Sequence, residues 1–192
     1  MSKEDRFTQE LLEAIGNVPS PFVIGAGISV LYELSVNQKG IVDMGVDFDS
    51  GMPIRGRGTG FQQDIVVYQE KTENTNTSII PYLIAEVKFE SVTTHDTIVY
   101  SYKASKIRRI YPYVRYGMIL GGFTDIPGRV LRHGESFDFI VSLNYPFVSK
   151  EIDKFKVLVK DELATSGCME DIRSVRRKIR VLQKRYDFDE AD

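Results

Sequence analysis

The first place to look for chemistry in this chain is where charge interrupts an apolar strand. Residues 82–89 read Tyr-Leu-Ile-Ala-Glu-Val-Lys-Phe. Alternate side chains of a strand share a face, so Ile84, Glu86 and Lys88 stand on one side and Leu83, Ala85, Val87 and Phe89 on the other. The second face is wholly apolar. A carboxylate and an ammonium roughly 6.6 Å apart along such a strand are costly unless they meet solvent or serve a site. Asp64 opens a second β-branched run, Asp64 to Gln69, which begins 22 residues before Glu86. The polar stretch Glu70 to Ser78 reads as a turn and Pro81 stands at the start of the returning strand, so the two runs predict an antiparallel hairpin. A register that sets the start of one strand beside the end of the other lets Asp64 and Glu86 converge on a hard divalent cation, which takes oxygen ligands and keeps several waters.

The elements that must hold these residues follow from periodicity. Phe7, Leu11, Leu12, Ala14 and Ile15 have helical spacing over 4–15, and Gly16-Asn17 with Pro19 and Pro21 ends that helix. A second helix is expected from about Gly27 to Val36, with Ile28, Leu31 and Leu34 or Ser35 on one side and Glu33 within it. Ile41 to Phe48 reads as a strand, and a Gly- and Arg-rich loop from Ser50 to Gly60 carries Arg55 and Arg57. Thr94 to Tyr111 is an amphipathic helix with Tyr100, Ala104, Ile107 and Tyr111 on its apolar side and Tyr102, Lys106 and Arg109 on the wetter one; Pro112 stops it. Val114 to Leu120 and Phe137 to Leu143 are further strands. The strand, helix, strand succession over 82–120 implies a parallel crossover. Beyond Ser149 two helices are expected over about 149–186, divided near Ser166-Gly167, the second rich in Arg and Lys.

Asp64-Ile-Val-Val, a polar turn and Ile84-Ala-Glu86-Val-Lys88 together resemble the bipartite motif of the PD-(D/E)XK nuclease superfamily, with Gln63 where the motif's name has proline. The expected element order over 28–120 resembles that superfamily's αβββαβ core, and Glu33 stands 31 residues before Asp64, on the helix where many members place another carboxylate. The resemblance covers about half of the chain. It implies an α/β fold of a central mixed sheet flanked by helices, a restriction-endonuclease-like core with extra N- and C-terminal helices in one domain spanning 1–192. It also implies metal-dependent hydrolysis of phosphodiester bonds in DNA, as in a restriction, defence or repair endonuclease. Asp64, Glu86 and the carbonyl of Val87 would hold magnesium, with manganese able to substitute; Lys88 would orient or activate water and steady developing charge; Glu33 would be a secondary ligand or hold water. Arg55, Arg57, Tyr102, Lys106 and Arg109 are candidates for holding phosphates, which need only donors and positive charge. A homodimer joined through the terminal helices is a further expectation. The competing reading is the same fold binding nucleic acid or a protein partner without cutting.

Other chemistries find less support. Val23-Ile24-Gly25-Ala26-Gly27-Ile28-Ser29 resembles the start of a dinucleotide fingerprint, but Val30 fills the third glycine position and too few βα units follow. No Lys-Ser or Lys-Thr follows Gly56 to Gly60, which excludes a phosphate-binding Walker loop. His95 and His133 stand far apart and are expected on the surface, and Cys168 is the only cysteine, so a zinc site and an intrachain disulfide are excluded. The 192 residues are 42% apolar with 21 Phe or Tyr, enough for one buried core. The longest largely apolar stretch, Phe22 to Tyr32, is 11 residues, against roughly 20 for a membrane-spanning helix. With a charged start unlike a signal peptide, this predicts a cytoplasmic protein with no membrane contact. A net charge of -2 hides 7 basic against 14 acidic residues in 1–100 and 18 against 13 in 101–192, the asymmetry of a cation site beside a phosphate-binding surface.

Overall fold

The β-branched runs around Asp64 and Glu86 form the two longest strands of a computed structural model, which describes residues 1–32, 35–36, 42–43, 60–73 and 76–172. Helix α1 (Lys3–Ile15) comes first, then strands β1 (Val23–Leu31), β2 (Ser35–Val36), β3 (Val42–Asp43), β4 (Gly60–Glu73) and β5 (Asn76–Phe89). Helix α2 (Thr94–Ile110), strand β6 (Arg115–Gly121), helix α3 (Gly128–His133), strand β7 (Phe139–Leu143) and helix α4 (Ser149–Ile172) complete the order. The main sheet runs β1-β4-β5-β6-β7, with β2 and β3 a separate pair. Strands β1, β4 and β5 are mutually antiparallel, while β5, β6 and β7 are parallel. The chain is therefore α/β with a mixed sheet, and α2 is the crossover expected between residues 82 and 120.

Several sequence expectations are corrected at the level of single elements. Residues 27–31 belong to β1 and are not helical; Ile28 and Leu31 fit a helical spacing, but Val23, Ile24, Ile28 and Val30 flank two glycines, a composition that favours a strand over a helix. The helix preceding the three antiparallel strands is α1. The strand expected over 41–48 is described only at Val42–Asp43, in the small sheet. The expected turn over 70–78 is mostly strand, since β4 continues to Glu73 and β5 starts at Asn76. Pro81 lies inside β5, tolerated because the register slips there: Tyr68 faces Pro81 while Val67 faces Leu83, leaving Tyr82 as a bulge. Beyond Ser149 one helix runs through Ser166 and Gly167 to Ile172, anchored by the Ser166 hydroxyl donating to the Tyr113 carbonyl at 2.9 Å. The basic stretch after 172 lies outside the described residues.

Helices α1 and α2 start where local chemistry dictates. Ser2 and Asp5 form one capping box and Thr93 and Asp96 another, each side chain satisfying a helix-start amide of the other's backbone. The apolar side of β5 packs as its alternation predicts, with the Phe89 and Phe7 rings 5.0 Å apart under α1. Ile152, Phe155, Val159 and Leu163 of α4 are buried in the same core. Met118 and Leu120 of β6 pack with Val92 and Val130 on the opposite side. Glu86, in register with Met118, shares that opposite face.

Gly117 of β6 stands against the Phe139 ring so closely that a Cβ there would fall within the ring's van der Waals envelope. Gly117→Ala should cost about 1–3 kcal/mol through overpacking, and adding Phe139→Leu should recover part of that loss in denaturant unfolding. Strictly additive losses would show that the two residues do not share this space.

Candidate active site

Asp64 sits where β4 loses its regular partners. The ladder to β5 begins at Ile65 opposite Ala85, and the ladder to β1 skips Gly27, which faces Asp64 with a positive φ of 67°. Freed from regular pairing, the Asp64 side chain reaches across, and its Oδ2 accepts the Val87 backbone N–H at 2.8 Å. This draws the carboxylate beside Glu86, close enough for the two carboxyl groups to interact by charge and by hydrogen bonding. Asp64 and Glu86 are thus neighbours at this end of the hairpin.

Glu86 is only 2% exposed. Its Oε1 receives the Tyr116 hydroxyl at 2.7 Å and the Lys103 ammonium at 3.4 Å. Burial, and then the charge of Asp64, push its carboxyl up to about 7, against the opposing pull of Lys103 and Tyr116. A proton count points the same way. Gln63, fully buried, donates from Nε2 to the Phe61 carbonyl at 3.0 Å, which turns its Oε1 toward the Tyr116 hydroxyl at 2.9 Å. Tyr116 has one proton for two acceptors if Glu86 is ionised. A protonated Glu86 donates to Tyr116, which then donates to Gln63, and every group is satisfied. Burial and the neighbouring Glu86 hold the Tyr116 phenol well above its usual range, so it stays a donor. Asp138 fixes this tyrosine's backbone, accepting the Tyr116 N–H at 2.8 Å while paired with Arg108 at 2.7 Å and Arg115 at 2.9 Å.

Lys88, two residues beyond Glu86, is held by the first turn of α1. Its Nζ donates to Glu4 Oε1 at 3.0 Å and lies 5.1 Å from the centre of the Tyr100 ring. Burial works against its charge, but the hydrogen bond to Glu4 and the neighbouring Tyr100 and Glu4 outweigh it and raise the ammonium above its ordinary range. Lys88 is therefore firmly charged. Lys103 lies between the Phe61 ring at 4.5 Å and the Tyr100 ring at 4.7 Å.

Glu4, Lys103, Tyr116 and Gln63 were not among the candidate residues read from the sequence. Lys103 follows Tyr100 by three positions on α2, a spacing that puts both on one side; that signal was present. Nothing local indicates that the first turn of α1 meets the end of β5. Among the phosphate-holding candidates, Tyr102 is 58% exposed and Arg109 is exposed on the outer side of α2, with Lys106 over the Tyr102 ring at 5.3 Å. Lys106 falls between this outer side and Lys103, so the strip leads outward from the carboxylates. Glu33, Arg55 and Arg57 lie outside the described residues. The structure gives Val87 a role through its N–H. His95 and His133 are exposed, and Gly25 and Gly27 lie inside β1 itself instead of in a turn that opens a helix, which counts against the dinucleotide reading.

Among the described residues no three or more of His, Cys, Asp or Glu gather as a metal cluster. Two converging carboxylates still fit a small divalent cation that retains most of its water. They are hard oxygen donors, Glu86 buried and Asp64 half-buried beside it, with the Lys103 ammonium at 3.4 Å to balance them. No helix among the described residues is long and apolar enough to cross a membrane. No protein-family model matches the chain, and no curated protein matches its sequence.

The raised Glu86 carboxyl makes stability depend on pH with a definite sign. From about 4.5, its ordinary value, to about 7, the folded protein binds the proton more tightly than the unfolded chain. The contribution to stability is therefore complete below about 4.5 and lost as pH rises through about 7, by roughly 3 kcal/mol in the limit. Glu86→Gln should match the wild type in denaturant unfolding at pH 5 and exceed it at pH 8. Parallel profiles for the two proteins would contradict this.

Proposed function

We propose that this chain is a divalent-cation-dependent nuclease of the PD-(D/E)XK type that hydrolyses phosphodiester bonds in DNA, with magnesium as its cation and manganese able to substitute. The observation that carries this reading is the meeting of Asp64 and Glu86 over β5 with a charged Lys88 two residues beyond. The order of α1, three antiparallel strands, α2 and β6 agrees with the αβββαβ core that the motif implies. Gln63, at the motif's proline position, supports Tyr116 and through it Glu86.

In this reading Asp64 and Glu86 would hold the cation, with the Val87 carbonyl as a third oxygen. When bound, the cation supplies Lewis-acid polarisation of the phosphoryl group and acidifies water. Lys88, kept charged by Glu4, orients the attacking water and stabilises negative charge building on the phosphoryl oxygens. Tyr102, Lys106 and Arg109 hold neighbouring backbone phosphates, and the side chains of Arg55 and Arg57 are of the type for the same role. A restriction, defence or repair enzyme is the niche this chemistry suits.

Incubation of the pure protein with plasmid DNA, and separately with RNA, should give cleavage of DNA with magnesium and none with chelator. Asp64→Ala and Lys88→Ala should each lower the rate by about 10²–10³-fold or more with unfolding curves that show the fold retained. Intact substrate with magnesium or manganese would favour the binding role instead. An Asp64→Ala variant that cuts as well as the wild type would show that Asp64 does not hold the cation.

A further inference from the structure

Of the two ammonium groups near the carboxylates, one is already engaged. Lys88 is paired with Glu4 at 3.0 Å. Lys103 is the one directed to Glu86, and its contact is unusual: the side chain is only 14% exposed, yet Nζ stays 3.4 Å from Oε1. That is longer than the roughly 2.7–2.9 Å of a charge-assisted hydrogen bond. The same oxygen already takes the Tyr116 hydroxyl at 2.7 Å. The faces of Phe61 and Tyr100 lie within 4.5 and 4.7 Å of the ammonium, so much of its stabilisation comes from the rings and persists if it draws back from the carboxylate.

We propose that Lys103 is the internal counter-ion of Glu86, balancing the carboxylate until a divalent cation binds and then yielding within its aromatic cage, so that its charge sets the affinity for that cation. The inference rests on the reading of Asp64 and Glu86 as cation ligands. An ammonium and a divalent ion repel one another at a shared carboxylate, and lysine's flexible four-carbon stem allows the ammonium to shift. The charge balance has a consequence for the substrate. With both carboxylates ionised, Asp64, Glu86 and Lys103 together carry one net negative charge, which becomes one net positive charge once a divalent cation is held. A phosphodiester is repelled in the first state and attracted in the second. Without Lys103 the loaded site would be neutral, so its charge is what makes the cation-loaded site attract nucleic acid.

The test is calorimetric titration of manganese and magnesium into the full chain as wild type, Lys103→Met, Lys103→Gln and Lys103→Arg, with Asp64→Ala as the control that binds neither. The two uncharged variants should bind manganese about tenfold tighter at low ionic strength, the gap shrinking with added salt, while Lys103→Arg stays near the wild type. Fluorescence anisotropy of a labelled duplex, with the cation saturating, should show weaker DNA binding by Lys103→Met than by the wild type, because the loaded site is then neutral instead of carrying one positive charge. Tighter cation binding with weaker DNA binding is a split that loss of packing would not produce. Unchanged or weaker cation binding by both uncharged variants, with the wild type binding normally, overturns the counter-ion role. A wild type that takes up no divalent cation overturns the nuclease reading itself, and this inference with it.

Discussion

The bond from the Val87 amide to Asp64 Oδ2, 2.8 Å long, is the constraint on which the site depends. A buried backbone N–H needs an acceptor, and leaving it unpaired costs about 1–3 kcal/mol. Where β4 parts from its regular pairing, a side chain supplies that acceptor in place of a carbonyl. The repair places a carboxylate directly beside the buried Glu86. Like charges are thus brought together by a backbone requirement, and the groups around Glu86 can be understood as answers to that placement. Tyr116 and Gln63 form a hydrogen-bonded chain, Lys103 supplies an opposing charge, and the carboxyl itself tends to keep its proton.

The sheet topology explains why these answers come from different parts of the chain. Strand β5 has an antiparallel neighbour on one side and a parallel neighbour on the other. Its apolar face is covered by α1 and α4, leaving the Glu86 face to α2. Asp64 arrives from the antiparallel partner, Tyr116 from the parallel one, Lys103 from the crossover helix between them and Glu4 from the helix beneath. One strand carrying Glu86 and Lys88 therefore gathers residues separated by more than a hundred positions.

The hairpin and its charged face could be read directly from the sequence, because period-two alternation fixes which residues of 82–89 look the same way. Helix α2 was equally legible from its spacing and from Pro112. Residues 27–31 were not, since Ile28 and Leu31 satisfy a helical period while pairing with β4 decides the matter in favour of a strand. Gly167 suggested a break in the last helix, but one glycine costs a helix only about 1 kcal/mol, and the buried Ile152, Phe155, Val159 and Leu163 hold it in place. In the site, Asp64, Glu86 and Lys88 were legible because they share one hairpin. Glu4, Lys103 and Tyr116 depend on how helices and a later strand dock, which no local pattern encodes.

Lys88 takes its negative partner from the opening turn of α1, the part of a helix that frays first. The Ser2–Asp5 capping box restrains that fraying but cannot abolish it, since terminal turns open with far less free energy than a core strand requires. The electrostatic surroundings of an amine fixed in the rigid sheet therefore fluctuate with the order of a few N-terminal residues, and amide hydrogen exchange at Arg6 and Phe7 becomes a remote gauge of the charge environment at Lys88.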